Sequence, residues 1–166
     1  MQHNLIEKDF IKLINDHRAL IFKICNIYCR DPGLRLDLFQ EIVLQLWKAF
    51  PSFRGESSGI TWIYRVALNT AISDFRKEKR RPGKHSITSN EFAIPDITFV
   101  PDTIDETNSL QQAIDRLTDI EKAIVMLYLD EKSYEEIGDI TGLSISNVGV
   151  RINRIKKKLT KLLKAY

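Results

Sequence analysis

The chain has 166 residues, 43% of them hydrophobic and 28% charged, which excludes global disorder and leaves enough apolar material for one or two packed cores. Its formal net charge is only +3, but the charge is unevenly spread. From 144 to 166 there are seven Lys or Arg and no acid, 76–84 is also basic, and 91–121 between them is mostly acidic. That layout suggests a polyanion touched at two places.

Over 7–28, Phe10, Leu13, Ile14, His17, Ile21, Ile24 and Tyr28 recur at helical spacing, predicting one long amphipathic helix or two with a break near Asn15 and Asp16. Cys25 and Cys29 lie on one face of that helix. With His17 or His3 they would make only a weak zinc signal, so they read as buried thiols, and no metal or cofactor is expected. Asp31-Pro32-Gly33 reads as a turn. A helix comes next, from about 36 to 50, and stops at Pro51. Leu38, Ile42, Val43, Leu46 and Ala49 would face its core, and Asp37, Gln40, Glu41, Leu44, Gln45 and Lys48 would form a surface suited equally to docking or to plain solvation.

A polar loop at 52–59 carries one aromatic, Phe53. The next helix, about 60–79, sets an apolar face with Trp62 against a stripe of Arg65, Asn69, Ser73, Arg76 and Arg80. Cations to follow phosphates, a ring to stack and an amide to read a base edge are the layout for single-stranded nucleic acid. Trp62 itself reads as core. From about 82 to 107 the periodicity is lost among prolines and acids, which marks a linker between domains.

Two helices are then predicted over 109–117 and 119–129, with Leu110, Ala113, Ile114 and Leu117, and then Ile120, Ala123, Ile124, Leu127 and Tyr128, turned inward. The stretch 133–158 reads as a helix-turn-helix. Ser133 and Glu136 form a capping box, Gly142 makes the turn, and Ser144 caps the second helix. Ile145, Val148, Ile152, Ile155, Leu159 and Leu162 form one apolar stripe; Asn147, Val150, Arg151, Arg154, Lys157, Lys158 and Lys161 form the opposite face. Such a helix suits the DNA major groove. The expected fold is all-α: two small helical domains, 1–82 and 108–166, joined by a flexible linker, 83–107, the second a four-helix domain with the helix-turn-helix.

Four motifs in this order resemble RNA polymerase sigma factors of the extracytoplasmic-function (ECF) type. They are Asp37-Leu38-Phe39-Gln40-Glu41, Ser52-Phe53-Arg54-Gly55-Glu56-Ser57, Thr61-Trp62-Ile63-Tyr64-Arg65-Val66-Ala67-Leu68-Asn69, and Ser133-Tyr134-Glu135-Glu136-Ile137-Gly138. The resemblance implies a non-enzymatic subunit that binds RNA polymerase core and directs it to promoters. It implies that Asp37, Gln40, Glu41 and Lys48 dock on the β′ coiled coil, and that the β flap is the other part of core polymerase contacted. It further implies that Phe53 and Asn69 capture a base flipped out of the minus-ten element while Arg65, Arg76, Lys79 and Arg80 hold phosphates.

The helix beginning at Ser144 would read the minus-thirty-five element. Gly149 and Val150 depart from a common form of the family. Gly149 would let the helix approach the DNA backbone, and Val150 would touch a thymine methyl. Asn147, Val150, Asn153 and Arg154 would then read bases, with Ser146 beside them and Arg151 and Lys157 on phosphates. Promoter DNA and an anti-sigma factor are the implied further partners, with no small-molecule substrate. With no signal peptide, membrane-spanning run or lipidation motif in the sequence, cytoplasmic location without membrane insertion is expected.

Three other readings compete with this one. A helix-turn-helix regulator that never binds core polymerase would share the C-terminal half, but the front half shows no βα alternation and no phosphoacceptor pocket. A recombinase-like enzyme would need a metal-binding acid cluster or an activated nucleophile, and the acids here are dispersed. A pure interaction protein would not need two basic DNA-facing surfaces.

Overall fold

Helix after helix in this chain begins at a side chain that satisfies the otherwise unpaired first amides. The computed structural model describes residues 2–79 and 104–165, with side chains described for 4–73 and 109–165. The chain divides into two compact units, Met1–Ile94 and Pro95–Tyr166. All regular structure among the described residues is helical.

In the first unit, α1 (Gln2–Asp16) and α2 (Arg18–Tyr28) are separate helices. The break falls at His17, one residue beyond the expected place, where φ is −118° and the imidazole is half-buried at the edge of the apolar face. Helix α3 (Pro32–Ala49) begins four residues earlier than expected. Asp31 is its N-cap, accepting hydrogen bonds from the Gly33 and Leu34 amides at 2.8 and 3.1 Å. Pro32 supplies a first helical position that needs no amide donor, so the signal read as a turn is a helix start. A short 3-10 turn (Phe50–Ser52) leads into the loop before α4 (Gly59–Lys79). The Ser58 hydroxyl accepts from the Thr61 amide at the start of α4.

Ile21, Ile24, Leu38, Ile42, Leu46 and Ile63 fill the first core, where α3 packs on both α2 and α4. An aromatic chain runs along its edge. The Phe10 ring lies 4.9 Å from Trp47 and 5.3 Å from Phe50, Phe50 lies 6.2 Å from Trp62, and Trp62 lies 4.7 Å from Phe53. Cys25 is fully buried, and that burial, with Cys29 adding to it, pushes its thiol up to about 12. It is an inert core side chain.

The second unit holds α5 (Ile104–Asp115), α6 (Asp119–Leu129), α7 (Tyr134–Thr141) and α8 (Ile145–Lys164). Helix α5 starts inside the segment expected to be linker; residues 83–103 of that linker lie outside the described residues. Thr118 with Glu121, and Ser133 with Glu136, form reciprocal capping boxes. The α7–α8 turn needs both of its glycines. Gly142 sits at φ 78°, and a Cβ on Gly138 would lie 2.7 Å from the Leu143 carbonyl oxygen.

Three expectations in this unit are corrected. Leu110 and Tyr128 are partly exposed rather than inward, because they rim an apolar cleft of about 180 Å³ between α5, α6 and α8. Ile145 is 53% exposed, so the buried stripe of α8 begins at Val148 and continues through Ile152 and Ile155.

Candidate nucleic-acid interface

The α-helical repeat sets Asp37, Gln40, Leu44 and Lys48 at three- and four-residue steps on α3, and all four are exposed. Glu41, on the same side, is half-buried and accepts a 2.8 Å hydrogen bond from the Gln45 side-chain amide, which holds its carboxylate in place. Leu44 is a large apolar side chain, 43% exposed, among these polar groups. An apolar centre with a polar rim is the make-up of a docking surface.

The second surface is built by the loop between α3 and α4. Gly55 takes φ 71°, turning the chain so that Phe53 lies over Trp62. Trp62 is only 8% exposed, a core residue whose ring also backs Phe53. Beside them is a cleft of about 320 Å³ lined by Ser52, Phe53, Arg54, Glu56, Ser57, Trp62 and Arg65. It has an aromatic floor and polar, charged walls, which suits a flat heterocycle. The structure therefore brings Phe53 and Arg65 together. Asn69 is exposed one turn further along α4 and is not among the cleft-lining residues. Arg54, Glu56 and Ser57, quoted in the 52–57 motif but given no role from it, also line the cleft. The backbone of Arg76 and Lys79 lies on α4, with their side chains outside the described residues, as is all of Arg80.

The third surface is α8. Ser144 caps it, its hydroxyl accepting from the Asn147 amide and lying 3.3 Å from the Ser146 hydroxyl. Ser146, Asn147, Val150, Asn153, Arg154 and Lys157 are all exposed. At about 100° per residue, Asn147, Val150, Arg154 and Lys157 share one face, whereas Asn153 stands at its edge. Arg151 is half-buried and its Nε is buried without a hydrogen-bond partner among the described residues, so it is held against the domain more closely than Arg154.

Gly149 is half-buried, and a Cβ there would meet the Tyr134 ring of α7 in ordinary van der Waals contact at 3.4 Å. One further expectation changes on α8. Lys158 is not a free cation on the DNA side. It makes a 2.8 Å ion pair with Glu121, tying α8 to the capped start of α6. Partial burial pushes the Glu121 carboxyl up, but hydrogen bonds from Lys158 and the Thr118 backbone, with the lysine charge, hold it below the usual range. Lys156 turns away as well, donating to the Tyr128 hydroxyl at 2.8 Å with its ammonium 4.5 Å above that ring. The Tyr128 hydrogen bond, outweighing slight desolvation, raises the Lys156 pKa above its ordinary value. Among the described residues, no cluster of three or more His, Cys, Asp or Glu is placed to share a metal ion. No described helix is long and apolar enough to cross a membrane.

Residues 13–81 match the model of sigma-70 region 2, and residues 107–159 match that of sigma-70 region 4. Both are parts of sigma factors, non-catalytic transcription initiation factors, and the second unit carries their DNA-binding helix-turn-helix. The ECF sigma-E factor of Escherichia coli K12 is 31% identical over 135 residues, covering 74% of this chain and 70% of that protein. SigW of Bacillus subtilis, also an ECF sigma factor, is 26% identical over 93% of this chain and 89% of its own length. The chain thus belongs to the ECF RNA polymerase sigma factors. The fold is shared with the sigma factor RpoE of Bartonella quintana, solved with the anti-sigma factor NepR. That match has a TM-score of 0.70 and 20% identity over 95% of this chain and 98% of that one.

Proposed function

We propose that this sigma factor docks on RNA polymerase core through α3 and recognises promoters at two elements. The first unit takes a flipped base of the minus-ten element, and α8 reads the minus-thirty-five element. The observation that carries the reading is the cleft floored by Phe53 and Trp62, because a base enters such a site only after leaving its stack. Unstacking costs a few kcal/mol, so ring contact and polar wall groups must offset it as well as phosphate attraction.

In this reading Asp37, Gln40, Glu41 and Lys48 contact the β′ coiled coil around Leu44, and the second unit meets the β flap. Phe53 lines the base site with Arg65 beside it. Asn69, a turn away, reads the next exposed base edge or sugar rather than the base in the cleft. Arg76, Lys79 and Arg80 extend the phosphate contacts. On α8, Ser146, Asn147, Val150, Asn153 and Arg154 face bases, and Arg151 and Lys157 face phosphates. Residues 1–82 and 108–166 are the two functional domains, and the protein acts in the cytoplasm. An anti-sigma factor holds it inactive, a reading supported by the family relationship and by a structural neighbour solved with such a partner.

The test is transcription by sigma-free core polymerase on a promoter library, with and without the protein, alongside a sizing column. Protein-dependent transcripts sharing two spaced sequence elements, and co-elution with core, are expected. No protein-dependent transcript and no core complex would sink the reading.

A further inference from the structure

We propose that the last two turns of α8 form a sequence-independent phosphate rail that extends the promoter contact beyond the bases read at its start. The inference rests on the reading of α8 given under the proposed function. The buried stripe of α8 stops at Ile155, and beyond it Leu159 and Leu162 are only half-buried. Five lysines come after Ile155, and no acid comes after Asp139. Lys156 and Lys158 are occupied by Tyr128 and Glu121. Lys157, Lys161 and Lys164 are exposed and make no ion pair among the described residues. Each lies within about 100° of Asn147 around the axis, on the side of the base-reading residues. A basic concavity runs along this end of the helix.

Length decides what this face meets. From Asn147 to Lys164 the helix rises about 25 Å at 1.5 Å per residue. The major groove is about 12 Å wide. A helix whose first turns enter the groove carries its last turns out across the flanking backbone, where the only ligands are phosphates. Lys161 and Lys164 fall beyond the segment matching sigma-70 region 4, which ends at residue 159. An acidic protein segment has the same charge but would not require continuity with the base-reading face, and DNA is the better occupant.

The test uses holoenzyme assembled from the full chain and core polymerase, on duplex promoter DNA, with affinity measured across about 50 to 200 mM salt. The paired change Lys161→Gln with Lys164→Gln keeps good helix formers in place. It should make the slope of log affinity against log salt shallower by about 1.8, so that about tenfold less affinity is lost over that range. Base preferences across a promoter library should not change. Wild-type holoenzyme on DNA trimmed at the outer edge of the minus-thirty-five element should show the same shallower slope. An unchanged slope, a changed preference at one base position, or lost affinity for an acidic partner with the DNA slope intact would each overturn the rail. Absence of any promoter binding by wild-type holoenzyme is a different result, and sinks the proposed function itself.

Discussion

The two units present their proposed DNA surfaces by opposite means. In the first, the surface is the outer edge of the core. Phe53 rests on Trp62, Trp62 neighbours Phe50, and Phe50 meets Phe10, so the cleft floor and the hydrophobic packing are one aromatic chain. In the second, the surface is held out by caps and close approaches. Ser144 starts α8, Gly138 and Gly142 set the turn, and the residues facing outward carry almost none of the packing. Function and stability should therefore be coupled in the first unit and separable in the second. The physical reason lies in the targets. An unstacked base must be received by desolvated ring surface, whereas a groove edge is met by side chains that remain in water until binding.

The largest effect expected on this contrast is that of Trp62→Ala. It should cost about 3–5 kcal/mol of stability in the first unit and abolish promoter opening together with it. Urea unfolding monitored by the fluorescence of Trp47 measures the first; a stable variant that still fails to open promoters would uncouple packing from the cleft. Gly138→Ala should come next, costing about 1–3 kcal/mol in the second unit, because the added methyl meets backbone that has no room to yield. Helical circular dichroism should register it while the Trp47 signal stays in place, since both tryptophans lie in the first unit.

Arg154→Ala should lower promoter affinity by about 1–3 kcal/mol and relax specificity at one position if the arginine grips a guanine. It should leave stability within about 0.5 kcal/mol of wild type. Equal weakening on all sequences would make Arg154 a phosphate contact instead.

The smallest effect is on pH dependence. The hydrogen bond from the Ser133 backbone, aided by Lys132 and opposed by slight desolvation, holds the Glu136 carboxyl below its usual range; Glu121 is also held low. A carboxyl depressed in the folded state stabilises fully above its unfolded pKa of about 4.3. That stabilisation is lost as pH falls through the lower folded value. On acidification the helical signal of the second unit should fade before the tryptophan signal of the first, and Glu136→Gln should narrow the gap. Coincident transitions in the wild type would count against the capping account.

Much of this was legible in the chain because it is local. Ser133, Glu136, Gly142 and Ser144 act on residues three or four positions away, and the step of Leu38, Ile42 and Leu46 needs only the helical repeat. The errors share a cause. Asp31-Pro32-Gly33 suits a turn and a helix start equally, and the packing of Leu38 and Ile42 into the core selects the helix. Lys158 and Tyr128 each have a partner far along the chain, on another helix: Glu121 and Lys156. No periodicity within one helix reveals such pairings.

By itself the sequence determined the all-helical class, the Ser133 and Ser144 caps, the turn of the helix-turn-helix and the family, since these depend on short-range hydrogen bonding and on motif order. Only the tertiary structure decided which lysines of α8 remain open to a ligand. It also showed that Trp62 serves the core and the cleft at once, and that Arg65 rather than Asn69 stands at the cleft. Those are questions of which side chains meet across helices, and they are settled by packing.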